Sequence, residues 1–226
     1  MKIIEKILSE NLSIDNDTFI FDIETTGLNP RFCKIILIGI LYNCQDKTII
    51  KQFFAENEND EKELLTKFVD EIRSLKKHIT FNGLAFDISF INYRLKKHNI
   101  DFSLNKEDNF DIFKFVKSFK IPLGLESCSL TNVEKYFGIH REDIINGEKS
   151  IKLYEDFIEN QNKNIMDTIL LHNYEDVYNL SKLINIKDLV KEKLDLLYIS
   201  NENYNLSIFP VNYKINAKKL TMNYFI

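Results

Sequence analysis

Asp22 and Glu24 stand two residues apart in Thr18–Glu24 (TFIFDIE), whose β-branched and aromatic residues read as a strand. Strand side chains alternate, so the two carboxylates share one face with Ile20, and Phe19, Phe21 and Ile23 take the other as core. Two acids side by side on a largely apolar strand repel each other and resist desolvation. A divalent cation relieves both penalties, and hard Mg²⁺ or Mn²⁺ suits oxygen ligands. A further acid, Asp87, ends Asn82-Gly83-Leu84-Ala85-Phe86-Asp87 and falls in the first turn of a helix, where the helix dipole also favours it. In His172-Asn173-Tyr174-Glu175-Asp176, His172 and Asp176 are four apart and share a helix face. Taken singly, each group has an ordinary reading: chance spacing, a helix cap, an exposed polar stripe. Together, acids at the end of a first strand, at a strand-to-helix switch and on a late helix can converge. Four carboxylates holding two cations ~3.5–4 Å apart serve in-line displacement at phosphorus.

The elements that must position these residues follow from periodicity. After a short amphipathic opening and the Thr18–Glu24 strand, Lys34–Tyr42 and Lys47–Phe54 read as strands joined by polar Asn43–Asp46, hence a hairpin. Leu64, Leu65, Phe68, Val69, Ile72 and Leu75 recur at helical spacing. His78–Phe81 reads as a strand, the segment with Phe90, Ile91 and Leu95 as a helix, and Asn109–Phe113 as another strand. From about Ser129 to Leu197 the pattern is helical, with a helix through Leu130, Val133 and Phe137 and a longer one over Ile165–Ile184. The fold class is therefore α/β, a mixed five-stranded central sheet flanked by helices. One domain over 1–200 is expected, with 201–226 as a C-terminal extension, a hairpin or lid packed on it.

Composition bounds the partners. The chain of 226 residues carries 30 basic and 34 acidic residues, a net charge of −4, which excludes gripping long nucleic acid by bulk charge. Contact with nucleic acid must be local, at an end or through a metal. Cys33, Cys44 and Cys128 form no CxxC pair and are odd in number, so a disulfide framework is not expected and a reducing, cytoplasmic setting is. The charged N-terminus lacks the apolar core of a signal peptide, and the longest apolar run, Ile35–Tyr42, is far short of the ~20 residues a membrane helix needs. Asp111 reads as a cap or outer acid, His78, His98 and His140 as solvated, and the acids of Asp60–Glu63 as a helix start favoured by the dipole.

Three segments together resemble the DnaQ-like (DEDD) 3′–5′ exonuclease superfamily of ribonuclease-H-like fold: FDIETTGL its first motif, ITFNGLAFDISFI its second and HNYEDVYNL its third. Within it the chain is most similar to bacterial YprB-type ribonuclease-H-like domains, and more distantly to the proofreading domains of B-family DNA polymerases. The resemblance covers roughly Thr18–Leu183. It implies a ribonuclease-H-like fold and hydrolysis of phosphodiester bonds at single-stranded 3′ ends of DNA or RNA by two Mg²⁺ or Mn²⁺ ions. By it, Asp22, Glu24 and Asp176 would hold the first ion, Asp22 would reach the second, and Asp87 would act directly or through water. Thr25, Thr26 and Leu28 would meet the terminal nucleotide, with Asn82 and Phe86 shaping the pocket beside it. One position departs from the pattern. A tyrosine lies four before the last aspartate in one branch and a histidine five before in the other; here His172 stands in the tyrosine's slot, and Tyr174 points elsewhere. A neutral imidazole can still orient or deprotonate water, which places His172 in the catalytic set. Two other readings fit the same residues: a weakly catalytic nucleic-acid- or partner-binding module, and an endonuclease.

Overall fold

The computed structural model describes all residues except 11, 144, 195–196, 201–204, 217–218 and 226, with side chains through 194. The chain forms two compact units, each from two stretches: Met1–Asp111 with Arg141–Ile184, and Ile112–His140 with Asn185–Ile226.

The first unit is built on β2 (Thr18–Thr25), paired antiparallel to β3 (Ile35–Cys44), which pairs antiparallel to β4 (Lys47–Phe54) as the expected hairpin. On the other side of β2, β5 (Lys77–Thr80) and then β6 (Asn109–Asp111) run parallel. The sheet has six strands, not five, in the order β1-β4-β3-β2-β5-β6. The extra strand is the amphipathic opening: β1 (Lys2–Ile7) pairs antiparallel to the free edge of β4. Its sequence, KIIEKI, hides its nature because an edge strand is short and charged to discourage further pairing.

One face of this sheet carries α1 (Glu61–Ile72) and α2 (Asp87–Lys97), whose Leu64, Phe68, Ile88 and Phe90 join Phe19, Phe21, Ile23 and Ile38 in one core cluster. A second cluster joins Ile36, Leu37 and Phe54 to Tyr154 and Phe157 of α5 (Gly147–Asn160) and Met166 and Ile169 of α6 (Lys163–Lys182). Each fully buried phenylalanine contributes ~1.5–3 kcal/mol, so these rings set the sheet between its helices.

Buried polar groups of the core correct the reading of two histidines. Glu61 opens α1, as its acidic run predicts, and its side chain is buried. Its carboxylate accepts from Arg94 Nε at 2.7 Å, Arg94 Nη2, His98 Nε2 at 2.8 Å and the Ile35 amide at 2.9 Å. Burial alone would raise its pKa, yet Arg94, the Ile35 amide and His98 hold it below the ordinary value. The contact with Glu61 overturns the solvated reading of His98. His78 is likewise buried, with its ring 5.6 Å from Phe19 and 5.7 Å from Phe21. Lysine neighbours in sequence masked a strand position that faces the core.

The second unit holds α3 (Ile112–Ser118), which begins where the expected Asn109–Phe113 strand ends early, α4 (Leu130–Tyr136) and α7 (Ile186–Lys193). It also holds an antiparallel sheet of β7 (Leu197–Ser200), β8 (Asn205–Asn216) and β9 (Lys219–Phe225). The domain boundary expected at residue 200 leads into 201–204, which lie outside the described residues. Among the described residues no helix is long and apolar enough to cross a membrane.

Candidate active site

The carboxylates gather where β2 outruns its parallel neighbour. Pairing of β2 with β5 ends at Ile20–Ile79, but β2 continues to Thr25. There Asp22 and Glu24 leave the strand on the face opposite the Phe19–Phe21–Ile23 core, as alternation requires. The register against β3 slips between Glu24, opposite Leu37, and Thr25, opposite Ile35, a bulge that bends the strand end.

Helix α6 packs on that face. Asn173 donates Nδ2–H to Asp22 Oδ2 at 3.0 Å and to the Asp22 carbonyl at 3.3 Å, and its Oδ1 accepts from Gln52 Nε2 at 3.0 Å. The approach needs Gly39, the cross-strand partner of Asp22: a Cβ there would sit 2.1 Å from Asn173 Oδ1. Asp87 arrives from the other side. The β5–α2 loop is clamped by Asp111, which accepts the Asn82 amide at 2.8 Å and the Leu84 amide at 3.1 Å, while Asn82 takes a left-handed φ of 66°. Gly83 lies against Thr80 with no room for a Cβ, which would sit 2.4 Å from its Oγ1. Asp111 thus acts as the structural cap of this loop. Asp87 is buried in the first turn of α2, where the backbone amides of its own residue and of Ile23 on β2 favour its ionised form.

His172 and Asp176 project from one face of α6 as their spacing predicts. His172 Nε2 lies 3.5 Å from Glu24 Oε1 and 3.7 Å from Asp176 Oδ2. One ligand atom from each of these three residues fits within a 4.8 Å span. Tyr174 indeed points elsewhere, accepting from Lys6 Nζ at 3.0 Å and stacking on Tyr178.

Burial pushes the Asp22 carboxyl well above its ordinary pKa, with the charges of Asp176, Asp87 and Glu24 adding to the shift. Burial also lifts Glu24 to about 7 against the pull of His172, and lifts Asp87 to about 7 against the nearby backbone amides. Asp176 is raised by burial despite His172 and Arg141. Burial would lower His172, yet Asp176, Glu24 and Asp143 hold it above its ordinary value. The cluster is short of positive charge, and the donor set of carboxylate oxygens with one imidazole suits a divalent cation.

Three residues beside the site have no role in the sequence reading. Asp143 Oδ2 lies 2.6 Å from His172 Nδ1, and Arg141 Nη2 bridges it, at 3.1 Å, to Asp176 Oδ1, at 2.6 Å. Glu175 holds this segment on α6 by accepting the Glu142 amide at 2.9 Å and the Asp143 amide at 2.7 Å. The charge-dense run His140-Arg141-Glu142-Asp143 was a signal, but nothing local ties it to α6. The residues expected to contact a nucleotide divide. Leu28 is 81% exposed on the loop following β2. Thr25 donates its hydroxyl to the Gly27 carbonyl at 2.8 Å, and Thr26 Oγ1 accepts the Lys34 amide at 2.9 Å, so both close that loop. Asn82 is fixed by its backbone, and Phe86 packs half-buried against the core and Phe90.

Residues 19–187 match the family model described as the RNase_H superfamily. The chain is 30% identical over 177 residues to the uncharacterized protein YprB of Bacillus subtilis, covering 74% of this chain and 41% of that protein. It is 36% identical over 132 residues to the PolC-type DNA polymerase III of Ureaplasma parvum, covering 48% of this chain and 9% of that protein. The chain therefore spans less than half the length of these relatives. In fold it is similar to the family B DNA polymerase of Pyrobaculum calidifontis, with a TM-score of 0.61 at 16% identity, over 75% of this chain and 24% of that one.

Proposed function

Because the chain belongs to the RNase_H superfamily, we propose that it is a 3′–5′ exonuclease that hydrolyses phosphodiester bonds at single-stranded ends of DNA or RNA with two Mg²⁺ or Mn²⁺ ions. The observation that carries the reading is the convergence of Asp22, Glu24, Asp87 and Asp176 at the end of β2, each carboxyl raised by burial, with His172 among them. Divalent cations bound there supply charge that draws these acids into their ionised form, a more acidic water and stabilisation of the departing 3′ oxygen.

Asp22, Glu24 and Asp176 would hold the first ion, and Asp22 with Asp87 the second. His172 is oriented by Asp143 at Nδ1, which leaves Nε2 facing the acids as the atom that aligns an attacking water or takes its proton. The Thr25–Leu28 loop presents exposed Leu28 as an apolar surface for the terminal base, while Thr25 and Thr26 fix the shape of that loop. The acidic balance of the chain favours such a local grip over a long one.

Release of nucleotides from 3′-labelled DNA and RNA oligonucleotides, with and without Mg²⁺ or Mn²⁺, tests the reading. Asp22→Ala and, separately, Asp176→Ala abolish release, as does a chelator; turnover like the parent in either variant overturns it. A 3′-blocked substrate that is still cut assigns an endonuclease instead. The weakly catalytic binding reading draws on Arg141, whose guanidinium already occupies Asp176 Oδ1. Oligonucleotide binding without cleavage under either metal would select it.

A further inference from the structure

A carboxylate can meet a cation through one oxygen or through both, and the surroundings of Asp176 leave it one. Its Oδ2 lies 3.7 Å from His172 Nε2, which itself is 3.5 Å from Glu24 Oε1, within the group whose ligand atoms fit a 4.8 Å span. Its Oδ1 is already occupied: it accepts from Arg141 Nη2 at 2.6 Å.

This guanidinium is fixed in place. The Arg141 side chain is 9% exposed, and Nη2 also donates to Asp143 Oδ2 at 3.1 Å, with Nε 3.9 Å from Glu175 Oε2. Asp143 in turn is tied to α6 through its amide, which donates to Glu175 at 2.7 Å, and through Oδ2, which lies 2.6 Å from His172 Nδ1. Swinging Arg141 away would strand the buried Asp143 carboxylate, which is strongly unfavourable. Arginine also keeps its charge at any working pH, so Oδ1 stays covered. Asp22 is restricted in a milder way, since its Oδ2 accepts from the neutral Asn173 amide at 3.0 Å.

We infer that Arg141 is a specificity-determining residue that selects the ion: by confining Asp176 to Oδ2 it favours Mg²⁺ or Mn²⁺ over Ca²⁺. Ca²⁺ gathers about six to eight oxygens and fills that shell partly with bidentate carboxylates, whereas Mg²⁺ takes a tighter octahedron completed by water. Mn²⁺ shares the oxygen ligands and octahedral habit of Mg²⁺. A Ca²⁺ reaching for Oδ1 meets a guanidinium hydrogen-bonded to that same oxygen, and like charges repel. This role of Arg141 rests on the proposed binding of metal by the acids and adds which ion they take.

Calorimetric titration of the full chain with Mn²⁺ and, separately, with Ca²⁺ reads the ratio of the two affinities. The parent should bind Mn²⁺ at least tenfold more tightly than Ca²⁺. Arg141→Met removes the donor and the charge, and the preference should shrink at least tenfold. Arg141→Gln, which drops the charge but keeps a polar group for Asp143, should shift it the same way and decides the matter where the methionine variant does not fold. Arg141→Lys keeps a cation beside Oδ1 and should retain most of the preference. Losing a positive charge strengthens the binding of every dication, and loosening Asp176 weakens it for every dication, so a merely structural role leaves the ratio where it was. A parent that binds neither ion overturns the exonuclease reading together with this role. A parent that binds Mn²⁺ but shows no preference over Ca²⁺, or a folded neutral variant with the parent's ratio, overturns the role of Arg141 alone.

Discussion

Gly39→Ala probes whether the close seat of α6 on the sheet sets the geometry of the acids. The added Cβ would lie 2.1 Å from Asn173 Oδ1, 2.9 Å from Asn173 Cγ and 3.0 Å from Val177 Cγ2, whereas ordinary contact begins at 3.4 Å. Asn173 cannot swing aside without losing Asp22 and Gln52, so α6 must retreat by about 1 Å, at an overpacking cost of about 1–3 kcal/mol. In a chain of this length 2 kcal/mol lowers the melting temperature by roughly 4–8 °C. The same retreat moves His172 and Asp176 away from Glu24, and a displacement of that size at a reacting centre costs about 100-fold in rate. Differential scanning calorimetry reads the first effect and nucleotide release from a 3′-labelled oligonucleotide the second. Gly39→Ala/Asn173→Ala should regain part of the melting temperature, since the main clash is gone, but not the activity, since Asp22 has lost its partner. A Gly39→Ala protein with the parent's melting temperature and turnover would refute the packing argument. Loss of stability without any activity to lose would spare it and count against the exonuclease instead.

Other expectations follow from the same contacts. Burial holds His78 at about 4, against a small opposing pull from Asp108; between its unfolded pKa of ~6.5 and 4 the unfolded chain binds more protons, so stability present above pH 6.5 is lost on acidification, by at most about 3 kcal/mol. His78→Phe should remove that acid-limb loss in urea melts at pH 4.5 and 7.5, and an unchanged pH slope would contradict the assignment. Arg94→Met strands the buried Glu61 carboxylate and should cost about 3–5 kcal/mol, most of it recovered in Glu61→Met/Arg94→Met; a single variant as stable as the parent would refute the buried pair. Asp143→Asn, which weakens the hold on His172 Nδ1, should lower turnover about 10–100-fold with little change in melting temperature, and full activity would dismiss it as a positioning residue. Mn²⁺ at a hundred times its Kd adds about 2.7 kcal/mol and raises the melting temperature by roughly 5–10 °C, an increment that Asp22→Ala should largely abolish.

Local periodicity carried the sequence reading as far as side chains that share one element. Alternation in TFIFDIE placed Asp22 and Glu24 opposite their phenylalanines, and the four-residue spacing put His172 and Asp176 on one face of α6. Both are consequences of backbone geometry, which the amino-acid order determines without help from the rest of the chain. Where periodicity is weak the reading failed: β1 is too short and charged to announce itself as a strand, and His78, between lysines and isoleucine, gives no sign of facing the core. The tertiary structure alone decided the partners. Asn173 reaches Asp22 across 151 residues of sequence, Arg94 reaches Glu61 across 33, and Arg141 reaches Asp176 across 35. Such pairings carry no spacing rule, because the penalty for an unpaired buried charge is met by whichever group the packed elements bring within reach. What the chain order determined was which acids face the same way; only folding decided what holds them, and how little room Gly39 leaves for any other arrangement.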